Sequence, residues 1–211
     1  MNHLYFRVAE AVFDVDYREA DDVRQLMPSY APFHIPETEQ ASLFTMLVKD
    51  DLVPFSPIGK EVGQFDCGGI NHGIYTRTDV EGYLILIGNT EGGAACALLT
   101  DKYFTKCEAS LYGDTANRSF GLNNALMIAF AFAGAYHNII LMHSSVTMYK
   151  GGGHLFLGKS GTGKSTHSKG WLKYIEGTEL LNDDNAYATM TLAGTNVVVT
   201  IPMSEIRASY N

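Results

Sequence analysis

His154-Leu155-Phe156-Leu157-Gly158-Lys159-Ser160-Gly161-Thr162-Gly163-Lys164-Ser165-Thr166 is the stretch on which the reading of this chain turns. Its first four residues read as a strand, and a helix is expected from Lys164 to Ile175. Between them Gly158–Ser165 has the spacing G-x-x-x-x-G-K-[ST]. Glycines at such positions let the backbone take positive φ and curl, so that consecutive N–H groups face one anion. The positive end of the following helix adds about 0.3–1 kcal/mol toward a bound phosphate. Lys164 brings a full charge to the β and γ phosphates, and the Ser165 hydroxyl can join a magnesium shell. The expectation is a cradle for ATP with Mg2+, formed by Gly158, Ser160, Gly161, Thr162, Gly163, Lys164, Ser165 and Thr166. The competing reading, a glycine-rich turn with an exposed lysine, lacks a reason for the strand before and the helix after. The loop alone does not fix a reaction, because kinases, transport ATPases and GTPases all use such a cradle.

Outward from the loop, Val146–Tyr149, the turn Gly151-Gly152-Gly153 and His154–Leu157 read as a β-hairpin whose second strand enters the loop. Doubly wound nucleotide folds instead alternate strands with crossover helices, so a different, mixed sheet is expected here. Ile139–His143 is a further strand, and His143 at its end is a candidate to touch a transferred phosphate or pair with a carboxylate. Past the loop, Leu180–Leu181 and Val197–Ile201 read as strands. Asp183-Asp184 follows the first of these, and carboxylates so placed can hold magnesium or accept a proton from an attacking hydroxyl. Adjacent strand residues point to opposite sides, so the two are expected to have separate jobs.

Before residue 115 the chain is rich in β signals: Leu4–Tyr17, Ser42–Val48, Gly73–Thr78, Tyr83–Gly88 and Ala94–Tyr103 lie between turn signals such as Glu91-Gly92-Gly93. Asp21–Met27 is a short helix candidate that stops before Pro28, while Pro28–Pro36 and Pro54–Pro57 read as loop. A helix is expected from about Ser119 to Tyr136, apolar nearly all round and so lying between layers. The division expected is a β-rich region, residues 1–117, followed by a nucleotide domain, residues 118–211.

Composition sets the class. The 211 residues are 46% hydrophobic and 18% charged, those of an ordinary globular chain. A net charge of -8 with no run of Lys or Arg sets nucleic acid aside as a main partner. Cys67, Cys96 and Cys107 form no CxxC pair and fit a reducing cytoplasm better than a disulfide framework or zinc site. No secretion signal is expected at the N-terminus. The apolar run Ala125–Tyr136 is too short to span a bilayer, so no membrane partner is expected.

Taken together, residues 139–190 resemble the kinase domain of HPr kinase/phosphorylase and, more distantly, ATP-dependent phosphoenolpyruvate carboxykinase. The strand ending in His143, the hairpin, Gly158–Thr166 and Leu-Leu-Asn-Asp-Asp at 180–184 carry the resemblance, over about a quarter of the chain. It implies an α/β (α+β) nucleotide-binding domain with a mixed sheet, and phosphoryl transfer from ATP to a serine or other hydroxyl acceptor, on a protein or small molecule. It implies Asp183 as the general base, Asp184 beside it and the metal with Ser165, His143 near the transferred phosphate and Lys164 as the phosphate clamp. A homo-oligomer is also implied.

Departures from that pattern set the alternative. Family members continue well past the acidic motif, whereas this sequence ends at Asn211, and Arg207 is the one arginine after the glycine loop. A cationic group would come from another subunit or from the N-terminal region. Without one, the chain would be a regulatory module that holds nucleotide and turns it over poorly. Nothing resembles the metal-ligand Lys and His set of the carboxykinases. A transport ATPase subunit is set aside because no LSGGQ-like signature is present.

Overall fold

The computed structural model describes residues 2–8, 10–18, 23–49, 53–66, 71–159, 161–182, 185–193 and 196–200. Its architecture is mixed α/β, with a large mixed sheet and few helices. The chain separates into two compact units, Met1–Arg7 with Ala11–Tyr136, and Val8–Glu10 with His137–Asn211.

In the first unit the strands are β1 (Asn2–Val8), β2 (Ala11–Tyr17), β3 (His34–Ile35), β4 (Ser42–Lys49), β5 (Glu61–Asp66), β6 (Asn71–Thr76), β7 (Gly82–Gly88), β8 (Ala94–Asp101) and β9 (Lys106–Leu111). They form one sheet in the order β3-β1-β2-β4-β9-β8-β7-β6-β5. The pairs β2–β4 and β4–β9 are parallel, and β9 through β5 run as an antiparallel meander. Two short helical segments, α1 (Val23–Leu26) and a 3-10 turn at Pro28–Phe33, lie between β2 and β3. The Pro28–Pro36 stretch read as loop therefore begins with that turn and then contributes β3.

Helix α2 (Thr115–Ala135) packs on β7, β8, β9 and β4. It starts four residues before the expected Ser119, because the Asp114 carboxylate caps it by accepting from the Asn117 N–H at 2.9 Å. Leu122, Ala125, Leu126, Ala129 and Ala133 sink into the sheet, α1 also packs on this helix, and every residue from 117 to 131 is buried or half-buried, while Phe132 stays 41% exposed. Since α2 covers this sheet, the division between the units falls after Tyr136 and not near residue 117. Among the described residues no helix is long and apolar enough to cross a membrane.

Strand β8, Ala94–Asp101, is buried along nearly its whole length, as a strand covered on both faces must be. On the side away from the helix it adds Ala97 and Leu99 to a cluster with Leu84 and Leu86, under Val53, Tyr75 and Tyr112. Cys96 and Cys107 are buried here as free thiols, and burial pushes both well above the ordinary thiol range. They behave as small core hydrophobes.

The second unit is built on β10 (Ile139–Tyr149), an 11-residue strand. Ile139–His143 and Val146–Tyr149, read as separate strands, are continuous through Ser144-Ser145. β11 (Gly152–Leu157) pairs with β10 from Ser144↔Leu157 to Tyr149↔Gly152. The turn between them is Lys150-Gly151, with φ of 49° and 77°. Positive φ at both central residues is the type I′ hairpin geometry that matches strand twist. Gly152 and Gly153 accordingly belong to the strand and not to the turn. On its other edge β10 pairs with β12 (Glu179–Asn182) and β13 (Asn185–Ala193), and β13 pairs with β14 (Asn196–Thr200). Every described pairing in this unit is antiparallel, so the mixed sheet of the molecule is the nine-stranded one. Helix α3 (Lys164–Tyr174) packs on β10, β11 and β12.

Candidate functional site

The glycine loop joins β11 to α3. The hairpin register puts Leu157, its last strand residue, opposite Ser144. Gly161 and Gly163 have φ of 78° and 92°, and a Cβ on either would meet nothing within 4 Å, so the curl is open. Gly163 caps α3 in the left-handed region. The Lys159 carbonyl draws the loop together, accepting from the Thr162 N–H at 3.3 Å and the Thr162 hydroxyl at 2.7 Å. The Lys164 ammonium folds back over the loop, donating to the carbonyls of Gly158 at 2.9 Å and Lys159 at 3.2 Å.

The first N–H groups of any helix lack intrahelical acceptors. On α3 no side chain caps them, and its first turn carries no acidic residue. From Gly158 to Ile175 the sequence holds four lysines, Lys159, Lys164, Lys169 and Lys173, and no Asp or Glu, in a chain of net charge -8. These features fit a polyanion at the helix end. Lys164 and Ser165 are half-buried, whereas Thr162 and Thr166 are exposed. Ser160, expected in the cradle, lies outside the described residues, as do Asp183 and Asp184.

The flanks of the acidic pair are described. β12 ends with Asn182 opposite Val146, and β13 begins with Asn185 opposite His143. On the far edge of β10, Ser144 faces Leu157, where the loop departs. Residues 143–146 of one strand thus collect three features separated in sequence: His143, the junction that holds 183–184, and the entrance to the glycine loop. Neighbouring strands lie about 4.8 Å apart, so β11 on one edge of β10 and β12 and β13 on the other are separated by about 10 Å across it.

What holds α3 to the hairpin carries no motif in the sequence. Ser145 and Ser168, both fully buried, share a hydrogen bond of 2.5 Å, and the Ser168 hydroxyl also reaches the Lys164 carbonyl at 3.2 Å. Strand β10 is thereby tied to the first turn of the helix that carries the lysine. Beside this pair Trp171 packs against Tyr149, His154 and Phe156, and His167 against Phe156, with ring centroids 4.8–6.4 Å apart. The signal was available: His167 and Trp171 are one turn apart on the helix, and His154 and Phe156 alternate on the strand. Two buried hydroxyls, Ser144 and Thr147, have no partner among the described residues.

Comparison with protein-family models and with curated proteins gives no match for this chain.

Proposed function

We propose that the second unit is an ATP-dependent phosphotransferase of the HPr kinase type, acting on a serine or other hydroxyl acceptor. One observation carries the reading: an open, uncapped α3 N-terminus entered through left-handed Gly161 and Gly163, with the Lys164 ammonium drawn over the same loop. Bound ATP supplies the phosphoryl group, and magnesium offsets the charge of its oxygens. The loop amides and Lys164 hold the phosphates in this reading. Ser165 and Asp184 are the metal ligands, and His143 stands near the transferred group.

Asp183 serves as the base. It accepts the proton of the acceptor hydroxyl while that oxygen bonds to the γ-phosphorus and the bond to the ADP oxygen breaks. General-base assistance contributes about 10²–10⁴-fold to rate. ADP release by the purified chain with MgATP and a hydroxyl acceptor should therefore fall by about that factor in Asp183→Asn, with MgATP binding retained. Undiminished ADP release in the variant would remove Asp183 from the role. Tight binding without turnover in the parent chain would reduce the reading to a nucleotide-holding module.

A further inference from the structure

Beside the glycine loop a groove of about 510 Å³ runs along α3, lined among others by Gly163, Thr166, His167, Gly170, Trp171 and Tyr174. Gly163, Thr166, His167, Gly170 and Tyr174 stand at i, i+3, i+4, i+7 and i+11, one face of one helix. The groove starts at the residue that caps α3 and shares Thr166 with the expected phosphate cradle. It extends about 16 Å toward Tyr174 at 1.5 Å per residue. Its volume falls in the range of small-molecule sites, about 300–1,000 Å³.

Three rings give the groove aromatic surface. His167 and Trp171 pack against Phe156 and His154 of β11, with ring centroids 4.8 Å apart in each pair. Tyr174 is 76% exposed at the far end. Midway, Gly170 keeps the floor clear: a Cβ there would meet nothing within 4 Å. Glycine is among the poorest helix formers, and packing against a neighbour does not explain it at this position. Neither Asp nor Glu lies anywhere between Gly158 and Ile175.

We infer that this groove receives the nucleoside end of the nucleotide whose phosphates occupy the glycine loop, with the base against the rings of His167, Trp171 and Tyr174. The inference rests on the phosphate reading of the loop. Continuity is what selects the occupant, because a nucleoside joined to phosphates at Gly163–Thr166 has this aromatic trough directly beside it. Thr166 and His167 offer hydrogen-bonding groups to ribose and base edges.

Calorimetry on the full chain with two probes, MgATP and magnesium tripolyphosphate, separates groove from loop. Gly170→Leu fills the trough and Tyr174→Ala removes its outer ring. Leu is the better helix former, so thermal unfolding of Gly170→Leu should occur no lower than in the parent, and Tyr174→Ala alters an exposed ring only. Each variant should weaken MgATP about tenfold and leave tripolyphosphate unchanged. MgATP affinity equal to the parent's in both variants would overturn the inference. So would an equal loss for the two probes, which would locate the damage in the loop. A parent chain that binds tripolyphosphate as tightly as MgATP removes the groove and leaves the loop standing. A parent that binds neither removes both.

Discussion

Ser145 and Ser168 tie α3 to β10 through a buried pair of hydroxyls. Each hydroxyl is fully buried, and the bond between them links β10 to α3. Replacing either by alanine removes this buried bond, at about 1–2 kcal/mol, while Ser168 keeps the Lys164 carbonyl as a second acceptor. Replacing both removes the pair together, so the double variant should lose clearly less than the sum of the singles. Denaturant unfolding of Ser145→Ala, Ser168→Ala and the double variant measures this, and strict additivity would show that the two hydroxyls are independent.

Residues of this kind were opaque in the sequence. Ser145 follows another serine and Ser168 sits among polar helix residues, so neither announces burial. The left-handed turns at Gly161 and Gly163 and the helix start at Lys164 were legible, because the G-x-x-x-x-G-K-[ST] spacing encodes that local backbone directly. His143 was legible as a strand residue near the loop, and its register opposite Asn185 is a fact of pairing that only the fold supplies.

Elements follow the same division. The strand, loop and helix around the lysine lie where local signals put them, with α3 ending at Tyr174 and not Ile175. β9 was not read at all, since Lys106-Cys107-Glu108-Ala109-Ser110-Leu111 has no β-branched or aromatic residue. It is a strand because β4 pairs with it on one edge and β8 on the other. Leu4–Tyr17 reads as one β segment but is divided into β1 and β2, with Glu10 between them at φ 65°.

Helix α2 shows tertiary contact overriding propensity. Gly121 lies where the helix meets β8, and a Cβ there would stand 2.5 Å from the Ala95 carbonyl oxygen and 2.8 Å from its carbon. That carbonyl is held by the Tyr112 N–H at 3.0 Å and is not free to move aside. Helix propensity favours alanine over glycine by about 1 kcal/mol. Overpacking against backbone costs about 1–3 kcal/mol and opposes it. Gly121→Ala should therefore lower the unfolding free energy, and an increase would mean that the helix can lift off β8 at little cost.

At the scale of the molecule, a nine-stranded mixed sheet with its own helix and core accompanies a smaller unit that carries the loop. The composition announced an ordinary globular chain, and nothing in the sequence showed that α2 would side with the first unit: an apolar helix does not say which sheet it covers. Charge is distributed to the same end, since the four lysines and no acids of residues 158–175 stand against a chain of net charge -8. A local excess of positive charge beside an open helix terminus favours anions there.

If the second unit is a phosphotransferase, that terminus takes a nucleotide's phosphates. Titrating the full chain with MgATP in a calorimeter should give saturable heat that disappears in Lys164→Ala, while the variant's thermal unfolding stays close to the parent's. No heat from the parent chain, or the same isotherm after the lysine is removed, would contradict it.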